Sequence, residues 1–177
     1  MTTPLERLTR LAPPADRPGP TDWADAESRL GHPLPGDYKE LVDAYGPGEF
    51  DGHVRLRAPE GPNGGRGLIA MNDGYFEELE DIWEMNEEAP EEIEEEGTTL
   101  VVWARTKDAE TLNWLVRPGT SPDEWPVMVL NDDLTEWETY PVTATEFLAG
   151  LLAGDIDSAM LSSELTPPDH TFEPRQG

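Results

Sequence analysis

From Glu77 to Glu96 the chain reads EELEDIWEMNEEAPEEIEEE, and no Lys or Arg occurs between Arg66 and Arg105. Carboxylates at this density offer three kinds of chemistry: acid–base or nucleophilic pairs, metal ligation, and electrostatic capture of a basic partner. The first two need a defined constellation, and the sequence shows none. No D-x-[DN]-x-[DN]-G run with a closing Glu is present. Asn131-Asp132-Asp133 and Asp155-Ile156-Asp157 are isolated fragments with turn chemistry. His32, His53 and His170 lie far apart, with no H-E-x-x-H. There is no G-x-S-x-G elbow, and Gly61 to Gly67 lacks the Lys-Ser/Thr of a phosphate-binding loop. Without cysteine there is no thiolate nucleophile, disulfide or Cys-based zinc site. The expectation is a non-enzymatic protein with no catalytic residue, no cofactor and no dedicated metal site.

Electrostatic capture remains. With 38 acidic and 12 basic side chains the net charge is −26. Solubility of a small domain needs a magnitude of only about 2–8. Such a surface attracts basic proteins and repels anionic membranes, and it lacks the basic patch that phosphate contacts require. No segment approaches the ~18 apolar residues of a membrane span, and the N-terminus has no apolar core like that of a signal peptide. The reading is a cytoplasmic monomer or weak dimer that binds a basic protein, with no nucleic acid and no membrane partner. The candidate binding residues are Glu77, Asp81, Glu84 and Glu88, at steps of four, three and four on one side of a helix. Like charges at such spacings cost an isolated helix roughly 0.2–0.5 kcal/mol each, and acids near its C-terminus oppose the macrodipole. The competing reading is a solvated face that serves solubility alone.

The acidic helix is expected from about Tyr75 to Ala89, with Phe76, Leu79, Ile82 and Trp83 facing inward and Pro90 interrupting it. Two helices precede it. Thr21 caps one that ends at Gly31, with Trp23, Ala26 and Leu30 inward. Pro35 opens another over Gly36 to Tyr45, with Tyr38, Leu41, Val42 and Tyr45 inward. Val54 to Arg57, Leu100 to Ala104, Thr111 to Val116, Pro126 to Leu130 and Glu136 to Tyr140 read as strands, the last four as two hairpins. Thr143 caps a final helix from Ala144 to Leu152. This order predicts an α+β fold with a largely antiparallel sheet of five to six strands, two N-terminal helices, the acidic central helix and a C-terminal helix around one core. Proline density makes residues 1–20 a flexible leader, although Leu5, Leu8 and Leu11 have helical spacing. Residues 21–162 form the domain and 163–177 a disordered tail. Five tryptophans sit in inward phase, and Trp125, in a loop, is the one expected to be exposed.

The run Trp23…Glu27…Leu30-Gly31…Leu34-Pro35…Asp37-Tyr38…Leu41…Tyr45-Gly46…Gly48 resembles the opening signature of the SUKH superfamily. The later order of elements is similar too, so the resemblance covers roughly residues 21–154. It implies a non-enzymatic binding protein. Bacterial members of this type are mostly immunity proteins that occlude secreted or contact-delivered toxins, many of them nucleases. The fungal branch implies instead a regulatory or scaffold module of the cell-wall-regulator type. A third reading is a DNA mimic that occupies basic proteins through its carboxylates.

Overall fold

The apolar runs in the second half of the chain become the centre of a sheet that is covered on both faces. The computed structural model describes residues 2–15, 18–60, 67–165 and 169–175. Its strands are β1 (Gly48–Phe50), β2 (Val54–Leu56), β3 (Thr99–Thr106), β4 (Thr111–Val116), β5 (Val127–Leu130), β6 (Trp137–Tyr140) and β7 (Phe172–Pro174). They lie in the order β6-β5-β4-β3-β2-β1-β7, and every neighbouring pair is antiparallel. The α+β class is as expected. The strands not anticipated are β1 and β7, each only three residues long and so too short to show alternation.

The helices are α1 (Pro4–Leu11), α2 (Trp23–Leu30), α3 (Gly36–Tyr45), α4 (Leu68–Asn72), α5 (Tyr75–Asn86) and α6 (Ala144–Ala153). Residues of α1, α2, α3 and α6 pack on one sheet face against Val101, Trp103, Leu112, Trp114, Val127 and Val129. On the other face, Leu79 and Trp83 of α5 meet Leu100, Leu115, Met128 and Leu130. There are thus two cores rather than one. Successive residues of a strand point to opposite faces, so strands with apolar residues at every position can be buried only between two layers. A bulge adds Trp103 between the Val102–Asn113 and Ala104–Leu112 pairs.

Both ends of the chain carry elements that dock on the domain. In the region read as a flexible leader, Thr3 and Glu6 form a capping box and Pro4 takes the first helical position. The resulting α1 buries Leu8 completely and packs on α6. The hydroxyl of Tyr45 donates to the carbonyl of Ala12 at 2.7 Å, and Arg7 pairs with Asp155. In the region read as a disordered tail, β7 pairs with β1, and Phe172 is buried against Tyr45 and Phe50. Asp51 receives the Thr171 N–H at 2.8 Å and lies 2.7 Å from Nδ1 of His170. In each case a few apolar residues between prolines found a partner far away in sequence. Trp125 is also buried, contrary to expectation, because a 3₁₀ turn at Pro122–Glu124 folds it onto Trp114 and His32. The Gly-rich segment at 61–66 lies outside the described residues.

Candidate partner-binding surface

Two side chains lock α5 to the sheet. Nε1 of Trp83 donates to the carbonyl of Leu134 at 2.9 Å. The hydroxyl of Tyr75 donates to Oδ1 of Asn113 at 2.6 Å. Burial pushes the Tyr75 hydroxyl well above the ordinary phenol range, so it stays protonated and remains a donor. The helix is shorter than expected. It ends at Asn86, and Glu87 takes a left-handed conformation with φ 56°. The N–H of Glu88 then closes on the carbonyl of Trp83 at 3.2 Å.

The four predicted carboxylates are all exposed, but they do not form one continuous helical stripe. Glu77 lies in the first turn of α5, beside a depression that includes Asn72 and Asp73. Asp81 occupies the middle of the exposed face. Glu84 and Glu88 come together at the far end, and Glu88 lies beyond the helix. There they rim a shallow groove with Glu80 and Glu87, floored by Trp83 and Ile93. Glu80 and Glu87 were not singled out in the sequence; both follow from helical phase once the helix end is known.

The sequence reading also missed an apolar element. Ile82, expected to face inward, is 37% exposed, and Met85 is 82% exposed. Glu78, Asp81, Ile82 and Met85 are neighbours at three- and four-residue steps, so the two apolar side chains sit among carboxylates. Among the described residues these are the large hydrophobic side chains left in solvent. The signal in the sequence was Met85 itself, an apolar residue in the phase of the acids.

None of the ion pairs among the described residues uses Glu77, Asp81, Glu84 or Glu88. The paired cations are spent elsewhere: Arg7 with Asp155, Arg29 with Asp25 and Glu60, Lys39 with Glu27, Arg55 with Glu49 and Lys107 with Glu164. Glu84, Glu87 and Glu88 crowd the negative end of the helix dipole with no basic residue in its last turn. Such an arrangement stabilises a visiting cation rather than the fold. A lysine or arginine stem can rest on the partly exposed Ile93 while its head meets the rim carboxylates.

A SUKH family model described as SMI1-KNR4 cell-wall matches residues 20–148. The chain belongs to this SUKH family. The match runs from the approach to α2 into α6, so the two docked ends, α1 and β7, lie outside it. No curated protein and no solved structure matches significantly. SUKH domains are in general non-enzymatic immunity or regulatory proteins, and membership is consistent with a protein-interaction role. Among the described residues no helix of this SUKH domain is long and apolar enough to cross a membrane.

Proposed function

We propose that this SUKH domain is a non-enzymatic immunity protein that binds and neutralises a cationic toxin domain through α5 and the groove at its C-terminal end. The observation that carries the reading is the pairing of unneutralised carboxylates with the exposed Met85 and Ile82 on one helix face. On that face Met85, 82% exposed, adjoins Ile82, so apolar surface and carboxylates are presented together. A binding face has a use for both parts. The charges steer a basic partner and set salt dependence, while an adaptable apolar side chain excludes water and prolongs the bound state.

Co-expression with a toxin domain encoded beside the gene, where there is one, tests the reading. Rescue of growth and a complex at low salt support it; unrescued killing with no complex at low salt removes it. In that complex, the quadruple variant E77Q/D81N/E84Q/E88Q should slow association at low salt by about tenfold or more. Met85→Ala should act on dissociation, weakening the complex by about 1 kcal/mol or more.

The family's cell-wall description favours a second reading, a regulatory scaffold that uses the same face. A gene with no toxin in its neighbourhood, together with recovery of a basic cell-wall or signalling protein at low salt, would select it.

A further inference from the structure

Two hairpin tips meet at one edge of the domain, remote in sequence from the acidic helix. In the first, Asp51 and Gly52 both have positive φ, 54° and 65°, and His53 closes the turn by donating its N–H to Phe50. In the second, Lys107 to Glu110 join β3 to β4, with the Thr106 N–H on the carbonyl of Glu110 at 2.9 Å. The tips are held side by side by the Val54–Thr106 pair and by the Lys107 N–H on the carbonyl of His53 at 3.0 Å.

This juxtaposition buries an imidazole beside two carboxylates. His53 is 1% exposed, and neither of its ring nitrogens has a hydrogen-bond partner. Its Nε2 is 3.8 Å from Oε1 of Glu110, and single ligand atoms of His53, Asp108 and Glu110 lie within 4.8 Å of one another. Glu110 is pre-positioned: the Thr106 hydroxyl donates to its Oε1 at 2.9 Å and accepts the Asp108 and Glu110 N–H groups at 3.2 Å each. Buried polar groups without partners are rare because each forfeits its hydration. Glu110 faces only Nε2 of His53, which leaves Nδ1 without a partner.

We propose that His53, Asp108 and Glu110 form a site for a divalent transition metal. One imidazole and two carboxylates are the donor set of Zn²⁺ or Mn²⁺, whereas Mg²⁺ and Ca²⁺ favour oxygen alone. The Thr106 hydroxyl orients one of the ligands from behind. Coordination at about 2.0–2.2 Å requires the carboxylates to close on the ion, and Asp108 is exposed and approaches from the solvent side. Three protein ligands leave positions for water, and the ion adds a clamp to two hairpins already joined by the Val54–Thr106 pair and the Lys107–His53 hydrogen bond. The site is separate from the α5 surface and does not depend on its function.

The test is calorimetric titration of the full chain with Zn²⁺ and with Mn²⁺ in excess Mg²⁺, which saturates weak binding by the many surface carboxylates. One saturable site per chain, a raised Tm, and a shift of the His53 ring nitrogens by NMR are expected. Because His53→Ala removes a buried ring and can impair folding, D108N and E110Q carry the comparison. Each should weaken binding by about tenfold or more, while E77Q/D81N/E84Q/E88Q leaves it unchanged. No saturable site in excess Mg²⁺, unchanged affinity in D108N and E110Q, or a His53 ring that does not respond to the metal would overturn the proposal.

Discussion

Nε1 of Trp83, on the acidic helix, donates to the carbonyl oxygen of Leu134, in the connection between β5 and β6, at 2.9 Å. Leu134 presents that carbonyl from a left-handed conformation, φ 60°. The turn is stabilised by Asn131, whose Oδ1 accepts the Thr135 and Glu136 N–H groups at 2.8 and 3.0 Å. The face proposed to meet a partner is therefore positioned by an indole on its hidden side. Trp83→Phe should keep most of the packing but lose the hydrogen bond. The expected cost is about 1–3 kcal/mol, from the lost bond and the missing ring volume, read from urea unfolding. Partner binding should weaken with no change in its salt dependence, since no charge is altered.

The end of α5 can be improved. Glu87 sits at φ 56°, where an L-residue is strained by roughly 1–2 kcal/mol and glycine is not. It also adds negative charge to the negative end of the dipole. Glu87→Gly should raise stability by about 1 kcal/mol after the entropy that glycine adds to the unfolded chain. A lower or unchanged denaturation midpoint would show that Glu87 is held by interactions other than those described.

The docking of β7 depends on the bareness of Gly48. A Cβ at that position would lie 2.4 Å from Cζ of Phe172 and 2.5 Å from the carbonyl oxygen of Glu173. Both belong to the strand pairing with β1, and one is backbone that cannot move aside alone. Gly48→Ala should therefore expel β7 or strain it at a cost of about 1–3 kcal/mol. Hydrogen exchange should accelerate at the Thr171 amide, now lost from Asp51, and at Arg175, now lost from Pro47. Protection in α5 should be unaffected.

Glu27 gives a pH test of the α2–α3 joint. Burial raises its pKa, but the Leu34 N–H at 2.7 Å and the Lys39 ammonium at 3.1 Å outweigh burial and hold it below the ordinary carboxylate value. Its stabilising effect is therefore present above that ordinary value and disappears as pH falls through the folded-state value. Glu27→Gln keeps an acceptor and loses the charge. It should cost about 1 kcal/mol or less near neutral pH, allowing for partial exposure, and nothing in strong acid. Comparing Tm between parent and variant at each pH removes background from groups such as Asp37. Burial raises that carboxyl, so its ionised form is destabilising near neutral pH and the penalty is relieved as the solution is acidified.

The helices show how much was legible. The bounds of α3, Gly36–Tyr45, and its buried Tyr38, Leu41, Val42 and Tyr45 agree with spacing and punctuation alone. The Thr143 cap of α6, which receives the Glu146 N–H at 3.2 Å, agrees as well. The signals for these elements lie within one or two turns of chain. The SUKH signature lies in that same well-punctuated stretch, and the family match covers it. Ile82 and Glu88 were misplaced for a different reason. Glu88 falls beyond a helix that ends at the left-handed Glu87, and Ile82 is exposed because the sheet takes the Leu79–Trp83 side of α5, a choice made by tertiary packing.

Composition and local periodicity by themselves determined the acidic character, the α+β class, the main helices and the central strands, because charge is additive and amphipathic spacing is short-range. Tertiary contact alone decided where α1 and β7 dock, that the sheet is buried on both faces, that Trp125 lies inside and that His53 meets Asp108 and Glu110. Each of those outcomes joins residues from separate segments. Which segments meet is decided by what remains to be buried once the local elements have formed.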